Sequence, residues 1–276
     1  MYTRRASSRR GGIPWGRLII AAIVAIGSLI TYFGTSQDNP VTGETQHIDI
    51  SVSQEIALGL QAAPEMAAQY GGLDPDQAAQ ARVDEIGNGI VGGSPAGSSP
   101  YEFNFNLLAD PETINAFALP GGPVFITRAL YDRLDSTGEL AGVLGHEVGH
   151  VVARHSAEQI AKAKLTEGLT GAAVIASYDP NNPSSAQRAQ IAAVIGQLLT
   201  LKYSRDDELE ADWLGVCFMD DAGYNPQEMI RVMEVLEAAS QGPRPPEFFS
   251  THPSPQNRIQ AIQDDIANLN QCPTGG

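Results

Sequence analysis

The segment His146-Glu147-Val148-Gly149-His150 lies inside a helical pattern and constrains this chain more than any other stretch. Apolar residues at 140, 143, 144, 148, 151 and 152 predict one helix from Thr137 to about Leu165. Four residues advance an α-helix by about 400°, so the two imidazoles differ by only about 40° and lie one turn apart. That is chelating geometry for one zinc ion, with Glu147 beside a metal-bound water. Such a centre needs a third protein ligand from another element and an open fourth position. Histidines used only for packing are the alternative, which the apolar face of the predicted helix disfavours.

Tyr203-Ser-Arg-Asp-Asp-Glu-Leu-Glu-Ala-Asp212 supplies candidates for the third ligand. Glu208 and Asp212 are spaced i, i+4 and share a helix face, while Glu210 lies about 200° from Glu208. Glu208 is the candidate ligand. Asp212, behind it, can hydrogen-bond the far nitrogen of a ligand histidine. Alone, such an acidic helix reads as a solvated face; the histidine pair reverses that reading. His155 falls nine residues after His146, about 180° round the same predicted helix, so it cannot share the metal. His47 sits in a polar stretch and is assigned no role.

The remaining pattern is mainly helical with a small sheet, an α+β class. Ser51-Val-Ser-Gln54 has the capping-box form and opens a helix. Asp74-Pro75 reads as an N-cap with Pro at N1, opening a second helix to about Gly89. Tyr101, Phe103, Phe105 and Leu107 alternate as a half-buried strand. Ile114–Leu119 and Val124–Thr127 form two short strands around Pro120-Gly-Gly-Pro123. Further helices are expected over 166–177, 186–201, 204–222 and 226–240. A Pro-rich loop (242–255) then leads to a last amphipathic helix carrying Ile259, Ile262 and Ile266.

Charge is unevenly placed. The 276 residues have a formal net charge of −15, yet residues 1–17 hold five arginines and no acid. The remainder carries 12 basic against 32 acidic residues, which argues against a nucleic-acid partner. An apolar run of 16 residues, Leu18–Phe33, follows the arginines. It is expected to be a single transmembrane anchor (18–34) whose basic segment (1–17) stays cytoplasmic and whose body is exported. A cleaved signal peptide is the alternative. Residues 35–50 read as a linker and 51–276 as the catalytic domain. Cys217 and Cys272 are either two buried thiols or one bridge, and export favours the bridge.

Together the motifs carry a resemblance. His146–His150 with Arg154-His155, the upstream Asn115-Ala-Phe-Ala-Leu-Pro-Gly-Gly122, Ser204-Arg205…Glu208-x-Glu210-Ala211-Asp212-x-x-Gly215 and Thr251-His252-Pro253…Arg258 resemble the M48 family of zinc metallopeptidases over about residues 51–270. Its exported single-module members, bacterial periplasmic quality-control proteases and the mitochondrial inner-membrane member, are the most similar in form. The resemblance implies a gluzincin-like fold with one zinc per chain, held by His146, His150 and Glu208, with Asp212 supporting and Glu147 catalytic. It implies an edge strand at Asn115, Ala116 and Phe117 that binds extended, unfolded or misassembled protein substrates. It also implies an active-site loop in which His252 covers the metal or, with Arg258, supports the transition state. The setting it implies is the outer face of a bacterial inner membrane. A zinc-holding, self-occluded assembly factor with little proteolysis is the competing function. The oligomeric state is not legible.

Overall fold

Three helices begin where a serine closes a capping box. Ser51 does so with Gln54, Ser136 with Glu139 and Ser204 with Asp207, each side chain meeting the other residue's backbone N–H. The computed structural model describes residues 15–177, 202–242, 245–253 and 257–273. Its elements run α1 (Trp15–Gly34), β1 (Ser36–Asp38), β2 (Thr45–His47), α2 (Val52–Gln69) and α3 (Gln77–Gly93). Next come β3 (Asn104–Leu108), β4 (Ala116–Ala118), β5 (Pro123–Thr127), α4 (Arg128–Tyr131), α5 (Thr137–Val152) and α6 (His155–Ser177). The chain ends with α7 (Arg205–Asp221), α8 (Glu228–Ser240), α9 (Phe248–Thr251) and α10 (Arg258–Ala267). The class is mainly helical α+β, as the sequence pattern predicts. The helix expected at 186–201 lies outside the described residues.

The sheet that frames the site has order β3-β5-β4, with β3 parallel and β4 antiparallel to β5. The β4–β5 turn needs its glycines: Gly121 has φ 82°, and a Cβ there would lie 2.4 Å from the Ile56 Cα. One buried cluster joins Val83, Ile86 and Ile90 of α3 to Leu140, Leu144 and Val148 of α5 beneath the sheet. A second joins Ala62 and Met66 of α2 to Phe117 and Phe125 on the opposite face.

The α5–α7 crossing is close because small residues meet there. A Cβ on Gly149 would lie 2.9 Å from the Ala211 carbonyl oxygen, and one on Gly215 would lie 3.0 Å from the His146 main-chain nitrogen. This contact carries the acidic face of α7 to the histidines. A disulfide joins Cys217 of α7 to Cys272, just beyond α10. It deprives the unfolded chain of conformational freedom across the segment that carries His252 and Arg258.

Four expectations need correction. The helix expected from Thr137 to Leu165 is two helices, because Arg154 adopts φ 58° and turns the chain back. Nothing in its residue type marks that break. Residues 35–50, read as a linker, contain the β1–β2 hairpin, and its side chains cap α5. The Asn39 amide donates to the Val152 carbonyl at 2.8 Å and the Gln46 amide donates to that of Ala153, so the end of the helix is satisfied. The N-cap of α3 is Asp76 rather than Asp74. Asp74 instead accepts the Asp76 N–H at 2.8 Å and pairs with Arg128 at 3.0 Å. Finally, among the described residues no helix is long and apolar enough to cross a membrane. The 16-residue apolar run of α1 spans about 24 Å at 1.5 Å per residue, against a hydrocarbon core of about 30 Å.

Candidate metal centre

The two histidines of α5 present their Nε2 atoms to each other at 3.0 Å. Glu208, delivered by α7, places carboxylate oxygens 3.6 Å from His146 Nε2 and 3.5 Å from His150 Nε2. A third imidazole completes the group. His252 Nδ1 lies 3.4 Å from His146 Nε2 and 3.1 Å from Glu208 Oε1. One donor atom from each of His146, His150, Glu208 and His252 lies within 4.8 Å of the others, and all four side chains are buried. Glu147 lies beside them, fully buried, with neither carboxylate oxygen hydrogen-bonded and His252 Nε2 3.8 Å away.

Such a set is costly unless something pairs with it. Unpartnered buried carboxylate oxygens and ring nitrogens lose their hydration with no return. Imidazole and carboxylate donors converging at this range suit a divalent transition ion, zinc foremost. Burial pushes the Glu147 carboxyl up, and Glu208 adds to the rise, although His252, His146 and Arg258 oppose it. Burial holds His150 well below the ordinary imidazole range, and the neighbouring imidazoles of His146, His155 and His252 oppose adding a proton there. A neutral imidazole is the form that ligates metal.

Asp212 lies one helical turn after Glu208 and accepts from His146 Nδ1 at 2.9 Å. Arg258 holds the same carboxylate from the other side, at 2.6 Å from Nε and 2.8 Å from Nη2. Burial works to raise the Asp212 carboxyl, but the Arg258 charge and the His146 hydrogen bond outweigh it and bring it down to about 2. Arg258 Nη1 also lies 3.1 Å from Glu208 Oε2. The structure thus brings together His146, Glu147, His150, Glu208, Asp212, His252 and Arg258.

The strand residues Asn115, Ala116 and Phe117 flank this group. The Thr127 N–H donates to the Asn115 carbonyl at 3.0 Å and the Leu119 N–H to that of Pro123 at 2.8 Å. By the antiparallel alternation, Ala116 and Ala118 turn their main-chain groups away from β5. The segment around α9 lies alongside, with the Phe248 N–H donating to the Ile114 carbonyl at 3.3 Å. The cleft left between β4 and His252 holds about 40 Å³ and is lined in part by Tyr70, Asn115, Phe117, Tyr203 and His252. That is space for a few waters rather than a peptide. A separate cavity of about 800 Å³, between α2 and the β3 side of the sheet, has none of the clustered side chains in its lining.

Two contributors to the centre, Tyr203 and His155, escaped the sequence reading. The Tyr203 ring stacks on His150 at 3.9 Å and its hydroxyl lies 3.0 Å from Ser156 Oγ. Its place just before the Ser204 N-cap, where a packing residue is common, was the available signal. His155, set aside by a helix that does not continue, lies with Nδ1 2.8 Å from His150 Nδ1, and Glu210 lies 3.1 Å from its Nε2. His47, given no role, packs its ring against Tyr32 and Phe33.

Comparison with known sequences agrees with this geometry. The chain is 32% identical to the mitochondrial metalloendopeptidase OMA1 of Schizosaccharomyces pombe over 249 residues, covering 89% of this chain and 71% of that protein. It is 30% identical to the β-barrel assembly-enhancing protease of Escherichia coli over 255 residues, covering 87% of this chain but half of that protein. Metalloprotease YcaL of Escherichia coli is 31% identical over 183 residues, 66% of each chain. The profile of peptidase family M48 matches residues 77–266, from the start of α3 almost to the end of α10, and so covers each clustered side chain. With its histidine-glutamate cluster and metalloendopeptidase relatives, this chain belongs to peptidase family M48 and is a metalloendopeptidase.

Proposed function

We propose that the chain is a zinc endopeptidase that hydrolyses peptide bonds in misfolded or misassembled envelope and membrane proteins. The observation that carries this reading is the buried four-donor cluster with the unpartnered Glu147 carboxylate beside it. His146, His150 and Glu208 hold one zinc ion, and Asp212, fixed by Arg258, orients the His146 ring. Bound zinc would polarise the scissile carbonyl and acidify a water. Glu147 takes the proton from the attacking water and delivers it to the leaving amine, a task suited to a carboxyl raised by burial. Arg258, cationic and buried beside Glu208, supports the charge that develops on the carbonyl oxygen.

The open edge of β4 pairs with an extended substrate segment through Ala116 and Ala118. Asn115 Oδ1, buried and without a partner, is an acceptor for it. That mode selects unfolded or flexible polypeptide over small molecules. The relatives' names, one mitochondrial and one tied to β-barrel assembly, support a role in protein quality control at a membrane. Attachment to the bacterial inner membrane, with the catalytic domain on its outer side, runs through α1. Ile19, Ile23, Ile26, Ile30 and Phe33 expose an apolar face there, and five arginines lie at 4–17 in the sequence. Extraction of a chain lacking residues 1–34 with the soluble fraction supports this attachment; its retention in the membrane contradicts it.

A second reading is favoured by His252. Its Nδ1 lies at the position from which it would close the metal against water, and α9 lies along the substrate edge. In that reading the chain is a self-occluded assembly factor that rarely cleaves. Proteomics of proteins trapped by Glu147→Gln in the native membrane separates the two, together with complementation. Trapped unfolded envelope proteins and failure to complement support the protease. Full rescue by Glu147→Gln overturns it in favour of the binding role.

A further inference from the structure

We infer that His155 and Glu210 are positioning residues for His150, forming a relay that fixes its tautomer and ring orientation for metal. The inference rests on the reading that His150 is a metal ligand. His150 turns Nε2 toward His146 and Glu208, so its lone pair must lie there for ligation, and its proton must then sit on Nδ1. That nitrogen meets, among the described residues, one hydrogen-bond partner, His155 Nδ1 at 2.8 Å. Two ring nitrogens this close need one proton between them. His150 Nδ1–H therefore donates, His155 Nδ1 accepts, and the His155 proton moves to Nε2. There Glu210 Oε2 accepts it at 3.1 Å. Each step fixes the next, and the chain ends on a carboxylate. A metal-ligating histidine commonly gives its second N–H to a carboxylate; here an imidazole is interposed.

The fold supports the relay at both ends. His155 stands where it does because Arg154 reverses the chain. Arg154 is held there by Glu55, which accepts from its Nε at 3.0 Å, and by the Ile50 carbonyl at 3.3 Å. His155 itself is 1% exposed, so water does not compete for its nitrogens. Glu210 is two residues from Glu208 on α7. The helix that delivers a ligand on one face thus delivers the relay's carboxylate on another. Tyr203, stacked on the His150 ring at 3.9 Å, blocks rotation about the remaining axis.

The test is zinc affinity of the full chain, measured with Zn²⁺ alone in competition with a chelator. His155→Ala is expected to weaken binding by about 10–100-fold and Glu210→Ala by less, while His155→Gln, whose carbonyl can accept from His150 Nδ1, recovers part of the loss. Glu210 is about a quarter exposed, so Glu210→Ala carries the test should His155→Ala fail to fold. In His155→Ala the Glu210→Ala change has no further effect, since the relay is already cut. Imidazole nitrogen–proton correlation spectra of the zinc-loaded chain show His150 protonated at Nδ1 and His155 at Nε2. Wild-type zinc affinity in both alanine variants overturns the relay, as does an equal Glu210→Ala loss with and without His155. A wild-type chain that binds no zinc overturns the metal reading itself.

Discussion

His146 and His150 sit one turn apart on α5, yet the molecule holds their outer nitrogens by different means. His146 meets a carboxylate directly, and that carboxylate, Asp212, is buried and clamped by Arg258. His150 meets an imidazole, and the carboxylate behind it, Glu210, is a quarter exposed. The first arm places full charges in a low-dielectric interior, where each is safe only while the other remains. The second passes polarity through a neutral ring to the surface and risks less when cut. Rigidity on one side and tolerance on the other follow from where the compensating charge lies.

The largest effect comes from removing what both arms share. Glu208→Ala is expected to abolish zinc retention, measured as metal per chain after gel filtration, while Glu210→Ala keeps the metal at micromolar chelator. Zinc lost from Glu210→Ala and kept by Glu208→Ala would exchange the roles of the two acids.

Next is the buried arm. Arg258→Met leaves Asp212 without its counter-charge and should cost the fold about 3–5 kcal/mol in urea unfolding. The pH dependence has a defined sign. Asp212 titrates near 2 in the folded chain, against about 3.9 unfolded. Its contribution is complete above about pH 4 and is lost as pH falls towards 2. In Arg258→Met burial dominates, so the acid loss should begin at higher pH. An unchanged unfolding midpoint would contradict the clamp.

Smaller again is the helix crossing that serves both arms. Gly149→Ala puts a Cβ 2.9 Å from the Ala211 carbonyl oxygen and should destabilise by about 1–3 kcal/mol. Gly92→Ala, with nothing within 4 Å, is the control and should gain up to about 1 kcal/mol from helix propensity. Equal effects at the two sites would remove the argument for a close α5–α7 approach.

The contrast between the arms also marks what the sequence can reveal. His146, Glu147, His150, Glu208 and Asp212 lie on two regular helices, where i, i+4 spacing fixes which side chains share a face, and the resemblance to a known family supplied the meeting of the two faces. The relay is not legible in that way, because its direction depends on a left-handed Arg154 that neither glycine nor proline announces. The β1–β2 hairpin escaped for a related reason. Its part in the fold is to satisfy two carbonyls of α5 through Asn39 and Gln46, and a polar stretch carries no periodicity that betrays such a partner. The capping box at Ser51 was legible because both halves lie within four residues; those at Ser136 and Ser204 share that spacing but went unread. The cysteine pair was left open by sequence alone, since only tertiary structure brings α7 against the turn after α10.

The central claim is that a metal held by these arms works with Glu147 to cut peptide bonds. It is tested most directly by measuring zinc content and casein cleavage on the same preparations of wild type and Glu147→Gln. The account predicts one zinc per chain in both, with cleavage about 10²–10⁴-fold slower in the variant. Full zinc occupancy with casein cleaved at the wild-type rate by Glu147→Gln would contradict it.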